Sequence, residues 1–274
     1  MKHSSSVAEL LFFTLFSVCT AQIKFFNHVH LFPDTQFVPT FPSDGDAHRM
    51  KIETVEFTQT MKVSMGTVFP FAEISLFGIT TQAGAGASVH FEVRPMGQAH
   101  IVSDEYYIDY LILDFPIAQN FFVRFAGGHT SHHLSDNWYE RLQLSSAFHY
   151  ARDYVKLFGV YSNDGNLLLY AGANYGYIVT IKQRIAKPWN FQAGGEAVLM
   201  KVLDFLSLFY AFDGKIKQEA GFAATVTHQL GAKFTAPSAR NLRIAFQYRH
   251  GLDERGQFFP QHRALSTLGI YFDM

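Results

Sequence analysis

The sequence predicts an all-β protein, a closed transmembrane antiparallel β-barrel of about 12 strands, within a range of roughly 10–14. Three observations support this prediction. The composition is rich in aromatic residues and poor in charge, no apolar run after residue 21 is long enough for a membrane helix, and apolar and polar residues alternate in short segments. A barrel of this type belongs in a bacterial outer membrane, with its N- and C-termini periplasmic.

Composition and net charge limit the classes of function. Charged residues make up 16% of the 274 residues and aromatic residues another 16%. Soluble domains carry roughly 25% charged residues, so a lipid-facing wall explains this composition better than a very large core does. A net charge of -1 provides no basic surface for nucleic acid. We expect outer-membrane lipids as partners, no nucleic acid, no cofactor, and no protein partner that the sequence identifies.

The first 21 residues have the features of a cleaved export signal. Lys2 supplies the positive end, residues 10–18 the apolar run, and residues 19–21 a small-residue cleavage site before Gln22. Cleavage there removes Cys19, the only cysteine, so the mature chain would have no thiol chemistry. Acylation of Cys19 is the alternative, but the preceding residues match a lipoprotein signal poorly.

The mature chain divides into two parts. Residues 22–49 alternate poorly and contain Pro33, Pro39 and Pro42, which predicts a periplasmic or plug-like N-terminal segment. Residues 50–274 form the predicted barrel. Alternation is clearest at the end of the chain, and counting alternating segments gives these strands: 50–63, 67–80, 87–96, 105–115, 120–129, 153–162, 167–180, 189–200, 204–213, 220–234, 241–250 and 264–274.

The lengths of the links between these segments predict the orientation. Bacterial barrels have an even number of strands and short periplasmic turns. With the C-terminus in the periplasm, the long links 130–152 and 251–263 face outward. The links 116–119, 163–166, 201–203 and 235–240 are short and fall on the periplasmic side, as the rule requires.

Several charged residues occupy the inward positions of the predicted strands. They carry both signs, which argues against a strongly ion-selective pore and leaves either a narrow passive channel or an interior closed by ion pairs. Asp109 and Asp114 fall on opposite faces of one strand, so we expect at least one near an interface. The predicted lumen charges are His90, Glu92, Arg94, Arg124, Glu196, Lys233, Arg243 and Arg249.

One histidine-rich segment, residues 128–136, is predicted to lie in the loop after the fifth strand. It reads Gly-His-Thr-Ser-His-His-Leu-Ser-Asp, and the chain later carries Tyr-Arg-His-Gly at 248–251 and Gly-Gln-Phe at 256–258. These patches resemble a family of bacterial outer-membrane proteins catalogued as a domain of unknown function, with the signature His-x-Ser-Ser-His-Leu-Gly-Asp-Glu. The resemblance implies the barrel fold and no established activity. The matching positions are His129, Ser131, His133, Leu134 and Asp136, whereas His132, Ser135 and Asn137 replace the Ser, Gly and Glu of the signature.

A hydrolase is one interpretation of this segment. Residues two apart on a strand share a face, so if the strand continues to Ser131, His129 can lie beside the Ser131 hydroxyl as its base. The pair resembles the His-x-Ser pair that outer-membrane lipid hydrolases carry on a barrel strand. Their third residue is an Asn or Glu about fourteen residues on, and that position here is Gln143.

Two other interpretations stay open. His129, His132, His133 and Asp136 are a candidate ligand set for a divalent ion such as zinc, although their spacing matches no strong motif. Alternatively, histidines and short polar side chains fold the loop over the barrel mouth, with His133 and Asp136 as a structural pair. The sequence favours a structural or partner-binding barrel or a narrow channel, with a lipid A or phospholipid ester hydrolase as the alternative.

Overall fold

The computed structural model describes residues 26–76, 78–95, 99–141, 150–163, 165–180, 188–236, 240–258 and 261–273. The predicted export signal lies outside these residues and stays a prediction. In the described part of the chain, no helix is long and apolar enough to cross a membrane.

The chain folds into a closed antiparallel barrel of 12 strands, β2 to β13, with one additional strand, β1. The predicted closed barrel of about 12 strands is therefore confirmed. A short helix, α1 (Asp136–Arg141), follows β6. The strands are β1 (Phe26–Leu31), β2 (Met50–Val55), β3 (Met61–Leu76), β4 (Ile79–Pro95), β5 (Ala99–Ala118), β6 (Phe121–Leu134), β7 (Tyr150–Asn163), β8 (Leu167–Thr180), β9 (Trp189–Leu203), β10 (Leu206–Lys217), β11 (Ala223–Thr235), β12 (Asn241–Leu252) and β13 (His262–Asp273).

The outer and inner faces of the wall follow the alternation of the sequence. In β12, Leu242, Ile244 and Phe246 are each at least 40% exposed, whereas the intervening Arg243 and Ala245 are buried. The exposed apolar set faces lipid, where a charged side chain would cost about 2–4 kcal/mol at mid-depth. The polar set faces the interior, where it finds partners.

The first predicted strand, 50–63, is wrong in its extent. It contains the short strand β2, a turn after Val55 and the start of β3 at Met61. Both β1 and β2 pair antiparallel with β3, β1 along residues 72–76 and β2 along residues 61–64. β1 and β2 therefore lie one after the other along the same edge of β3. Residues 32–49, which connect β1 to β2, are here called the lumen segment.

Apolar side chains of the lumen segment pack against the inner wall. Val38 is fully buried, and Phe41 is 8% exposed. The ring of Phe41 stacks on Tyr170 with centroids 3.8 Å apart and contacts the edge of Phe158 at 5.4 Å. These contacts form the largest apolar cluster described inside the barrel, together with Val160 and Leu168.

Polar groups fix the rest of the lumen segment. His48 Nδ1 lies 3.0 Å from Ser88 Oγ, and its Nε2 lies 3.1 Å from Asp109 Oδ2. Lys215 Nζ donates to Asp44 Oδ1 at 2.5 Å and to Asp46 Oδ2 at 2.6 Å. Further along the segment, Arg49 Nη2 donates to Asp273 Oδ1 on β13 at 2.6 Å. The segment is therefore bonded to wall strands around the circumference.

The expectation that Asp109 or Asp114 lies near an interface is wrong. Both are buried inside the barrel, at 4% and 2% exposure. A β-bulge between Asp109 and Leu111 inserts Tyr110 as an extra residue and shifts the alternation by one. Asp114 then receives two hydrogen bonds of 2.7 Å from Arg124.

The links between strands differ at the two ends of the barrel. The links 135–149 and 253–261 lie at one end, here called the long-loop end, and links such as 119–120 and 204–205 lie at the other, the short-turn end. The predicted long links 130–152 and 251–263 are shorter than expected because β6, β7, β12 and β13 extend further than predicted. That the long-loop end faces outward stays a prediction.

Candidate active site on the outer wall

The histidine segment is mostly strand, so its placement in a loop is wrong. β6 continues to Leu134 because it pairs on both sides, with Ser131 opposite Tyr106 on β5 and Ala151 on β7. Residues of the segment therefore alternate between the two faces of the wall. Thr130, His132 and Leu134 are buried on the inner face, whereas His129, Ser131 and His133 are partly exposed on the outer face.

His129 is paired with a carboxylate on the neighbouring strand. Asp153 of β7 lies directly opposite it, and Nδ1 of the imidazole is 2.6 Å from Oδ1 of the carboxylate. Both side chains are accessible, at 29% and 26% exposure. A carboxylate accepts a hydrogen bond from a protonated Nδ1, which leaves Nε2 of the neutral ring as the unprotonated nitrogen. This is the arrangement that orients a histidine to act as a general base.

Ser131 lies between two histidines on the same face of β6. His129 precedes it by two residues and His133 follows it by two, so both are its neighbours on the outer wall. Its Oγ is 3.3 Å from Nε2 of His133. The ring of His133 is held in turn by an edge contact with Tyr106 at a centroid distance of 6.0 Å. We refer to Tyr106, His129, Ser131, His133 and Asp153 as the outer-wall cluster.

The outer-wall cluster adjoins apolar side chains of the outer wall, such as Ile108 opposite His129. Toward the short-turn end, the outward residues of β6 and β7 are apolar, for example Phe125 and Leu157, which are 36% and 56% exposed. Nearby on the outer wall, the rings of Tyr175 on β8 and Trp189 on β9 contact each other at a centroid distance of 4.9 Å, and Tyr175 is opposite Val155 of β7. Exposed Tyr and Trp side chains are typical of the level of the lipid headgroups.

The predicted third residue, Gln143, lies outside the described residues. The separation of about fourteen residues that the resemblance implies does not reach Asp153, which follows His129 by 24 residues. The longer link 135–149 accounts for the larger separation. Asp153 is the first residue of the predicted strand 153–162. It could be identified as the partner of His129 only by pairing that strand with the preceding strand, 120–129.

The structure does not bring the four candidate metal ligands together. His132 points inward, away from His129 and His133. Its Nε2 lies 2.9 Å from Thr130 Oγ1, and its Nδ1 accepts a hydrogen bond of 2.9 Å from the backbone of Gly256. Asp136 begins helix α1. Among the residues that the structure describes, no group of three or more His, Cys, Asp and Glu side chains is placed to hold a metal ion.

The predicted lumen charges all face the interior, where seven of them pair with oppositely charged groups and His90 bonds to a hydroxyl. Lys233 Nζ donates to Glu196 Oε1 at 2.5 Å. Arg243 forms ion pairs with both Glu196 and Asp273. At the long-loop end, Arg94 lies 3.0 Å from Glu92, and Arg249 pairs with Glu254 of the last loop. The remaining two are His90, which bonds Ser88 at 3.1 Å, and Arg124, which bonds Asp114.

Solved structures with a similar fold include outer-membrane phospholipases. Outer membrane phospholipase A from Escherichia coli has a TM-score of 0.52 and 14% identity, covering 87% of this chain and 93% of its own. An active-site mutant of that enzyme has a TM-score of 0.53 at the same identity and coverage. The Salmonella typhi phospholipase dimer with bound calcium has a TM-score of 0.50 and 13% identity. The match covers 87% of this chain and 94% of the phospholipase chain. At this identity the likeness shows the fold of outer-membrane barrels.

Sequence comparison identifies a family without an assigned function. The family described as "Protein of unknown function (DUF1207)" matches residues 20–273. No curated protein sequence matches the chain.

Proposed function

We propose that this chain, which belongs to the family of proteins of unknown function DUF1207, is a serine hydrolase that cleaves the esters of bacterial outer-membrane lipids. The contact between His129 Nδ1 and Asp153 Oδ1, on the same face of the wall as Ser131, carries the proposal. A hydroxyl, an imidazole and a carboxylate on one surface are the parts that serine hydrolases require, on whatever fold they occur.

The reaction follows from the positions of these groups. Ser131 Oγ turns from His133 toward Nε2 of His129, gives up its proton to that nitrogen and attacks the ester carbonyl carbon. The bond to the lipid alcohol then breaks, and the alcohol leaves with the proton from the imidazole. Water, deprotonated by the same Nε2, next attacks the acyl-serine, which releases a fatty acid and restores the Ser131 hydroxyl. Asp153 stabilises the imidazolium in both steps.

The location of the outer-wall cluster favours a lipid substrate. The cluster is open to the outside of the barrel, and the exposed aromatic pair Tyr175 and Trp189 nearby supports a location where lipid headgroups meet the hydrocarbon. Lipid esters lie at this depth, so a lipid can reach Ser131 without leaving the membrane. Outer membrane phospholipase A of Escherichia coli, by its name a lipid hydrolase, has a barrel of similar fold.

The occupied interior makes a channel the weaker proposal. The lumen segment packs Phe41 onto the inner wall and bonds to β4, β5, β10 and β13. A cavity of about 850 Å³ opens at the short-turn end, but the ion pairs between Lys233, Glu196 and Arg243 line it. We expect the purified barrel to show no steady conductance in planar bilayers, whereas a stable open conductance would favour the channel.

Ser131→Ala tests the proposal directly. The folded barrel should release fatty acids from phospholipids or lipid A in detergent micelles, and Ser131→Ala should lower the rate at least about 10³-fold. Ser75→Ala is the matched control, because this serine lies at the short-turn end, where its Oγ is 2.7 Å from Thr80 Oγ1 on the neighbouring strand. Both variants should keep the heat-modifiable mobility of a folded barrel.

A serine-reactive fluorophosphonate gives a second readout. Attack by Ser131 Oγ expels fluoride and adds the phosphonyl group to that oxygen, which peptide mass spectrometry locates. Labelling of Ser131 in the wild type, and its loss in His129→Gln, are expected. Absence of both lipid cleavage and labelling across phospholipid and lipid A substrates would overturn the proposal.

A further inference from the structure

Asp104 extends the outer-wall cluster toward the long-loop end. It lies on β5, two residues before Tyr106 and directly opposite His133 on β6. The hydroxyl of Tyr106 donates a hydrogen bond of 2.9 Å to Oδ2 of Asp104. Among the residues that the structure describes, no group donates a hydrogen bond to Oδ1 of Asp104, so this oxygen is available to a ligand at the surface.

The distance from Asp104 to Ser131 suits a lipid headgroup. Tyr106 pairs with Ser131, so Asp104 is the diagonal neighbour of Ser131 across the two strands. Diagonal neighbours in an antiparallel pair are about 7–8 Å apart. A glycerophospholipid that places its ester carbonyl at Ser131 extends its headgroup over this span, toward the water and toward Asp104.

The charge at this position selects the type of headgroup. Asp104 and Asp153 are carboxylates, and no Lys or Arg points outward from the described residues of β5, β6 and β7. The basic residues of β6 and β7 point into the barrel, where Arg124 pairs with Asp114, Arg152 with Glu219 and Lys156 with Asp109. This part of the wall therefore attracts an ammonium group and repels a headgroup that ends in negative charge.

We propose that Asp104, oriented by Tyr106, binds the ammonium group of a zwitterionic glycerophospholipid while its ester lies at Ser131. The proposal rests on the hydrolase function proposed above and names its substrate class. Asp104 makes the enzyme prefer lipids with a primary ammonium headgroup over anionic phospholipids. A charge-assisted hydrogen bond of this kind corresponds to about a tenfold preference.

The test compares two lipids with identical acyl chains, one with a phosphoethanolamine and one with a phosphoglycerol headgroup, in mixed micelles. The wild type should cleave the first about tenfold faster. Asp104→Asn should bring the two rates within about twofold of each other, because the amide lacks the charge that separates the two lipids. Tyr106→Phe should give an intermediate ratio. Asp204→Asn, at an exposed turn at the short-turn end, is the matched control and should keep the wild-type ratio.

The outcomes separate this inference from the function on which it rests. If neither lipid nor a water-soluble ester is cleaved, the hydrolase function fails. If cleavage is present and depends on Ser131, but Asp104→Asn keeps the wild-type ratio, the role of Asp104 is wrong. A wild-type preference for the anionic lipid overturns it as well.

Discussion

His129 and Asp153 face each other across the pairing of β6 with β7, and Nδ1 of the imidazole lies 2.6 Å from Oδ1 of the carboxylate. This pair distinguishes the outer wall of β6 from the rest of the lipid-facing surface. A charged side chain on the lipid face of a barrel is costly except near the interfaces. The pair lies on the same face of the wall as Ser131, as the proposed hydrolysis of a lipid ester requires.

Asp153→Asn should lower the turnover number about 10²–10⁴-fold with little change in the Michaelis constant. The amide holds the ring less well in the required tautomer and does not stabilise the imidazolium. The measurement is fatty acid release at saturating lipid. Asp204→Asn is the control for a lost carboxylate at the other end of the barrel. An unchanged turnover number in Asp153→Asn would show that His129 is not the base, and His133→Gln would then be the next variant to examine.

Gly127 should determine how well long acyl chains reach the site. It lies on the outer face two residues below His129, and a side chain added there would meet only ordinary contacts, at 3.9 Å from the Tyr154 carbonyl oxygen. Because it has no side chain, it leaves a notch between Leu111 and Val155, its partners in β5 and β7. Gly127→Leu should fill the notch and lower the rate on long-chain lipids about tenfold, with a smaller effect on a short-chain soluble ester.

Gly159→Leu is the matched control for Gly127→Leu. Gly159 also faces outward with room for a side chain, its nearest contact being the Ala171 carbonyl oxygen at 4.0 Å, but it lies further from Ser131 along β7. If Gly127→Leu lowers the hydrolysis rate equally on long-chain and short-chain substrates, the notch does not accommodate acyl chains. The variant would then distort β6 generally.

Phe41→Ala should destabilise the barrel by about 3–5 kcal/mol, because it removes a buried ring and leaves a cavity between Tyr170 and Phe158. The measurement is equilibrium unfolding by denaturant in detergent micelles. Phe57→Ala, at a turn residue that is 72% exposed, should change the unfolding free energy by less than about 0.5 kcal/mol. A Phe41→Ala barrel as stable as the wild type would mean that the Phe41 ring contributes nothing to stability.

The strands were predictable because alternation is a local property of the sequence. The alternation alone assigns Leu242, Ile244 and Phe246 to the outer face, without reference to any other strand. The errors concern features that neighbouring strands determine. One extra residue, Tyr110, reverses the alternation of β5, and only the pairing with β4 and β6 reveals it. A turn after Val55 likewise divides a segment that appears continuous in the sequence.

The candidate site was predictable in part for the same reason. His129 and Ser131 share a face by their spacing if the strand is continued to Ser131, as it is in β6. Asp153 depends on the register between β6 and β7, and the length of the link between them is not fixed by any local rule. Asp104 depends on the register with β5. Cross-strand partners can therefore be identified only when the pairing and register of the strands are known.

Glu254 should make the last loop resistant to mild acid. It pairs with Lys62 of β3 and with Arg249 of β12 and lies 3.5 Å from Arg263 of β13. Burial by itself would raise the pKa of Glu254, but the charges of Arg249, Lys62 and Arg263 outweigh it and hold this pKa well below the usual range. A lowered pKa in the folded state means that the stabilisation is present above the pKa of the unfolded chain, about 4.3 for Glu, and is lost as the pH falls through the folded value.

Limited proteolysis of residues 253–258 measures this anchoring. Cleavage of the wild type should stay slow and constant from neutral pH down to about pH 4, and should increase only in stronger acid. Glu254→Gln should be cleaved faster already at neutral pH, because three cations then lose their shared carboxylate. Glu56→Gln, at an exposed turn of the same end, should follow the wild-type profile. A wild-type loop released between pH 6 and 5 would contradict the lowered pKa, since only a group that titrates near its ordinary value or above it opens the loop there.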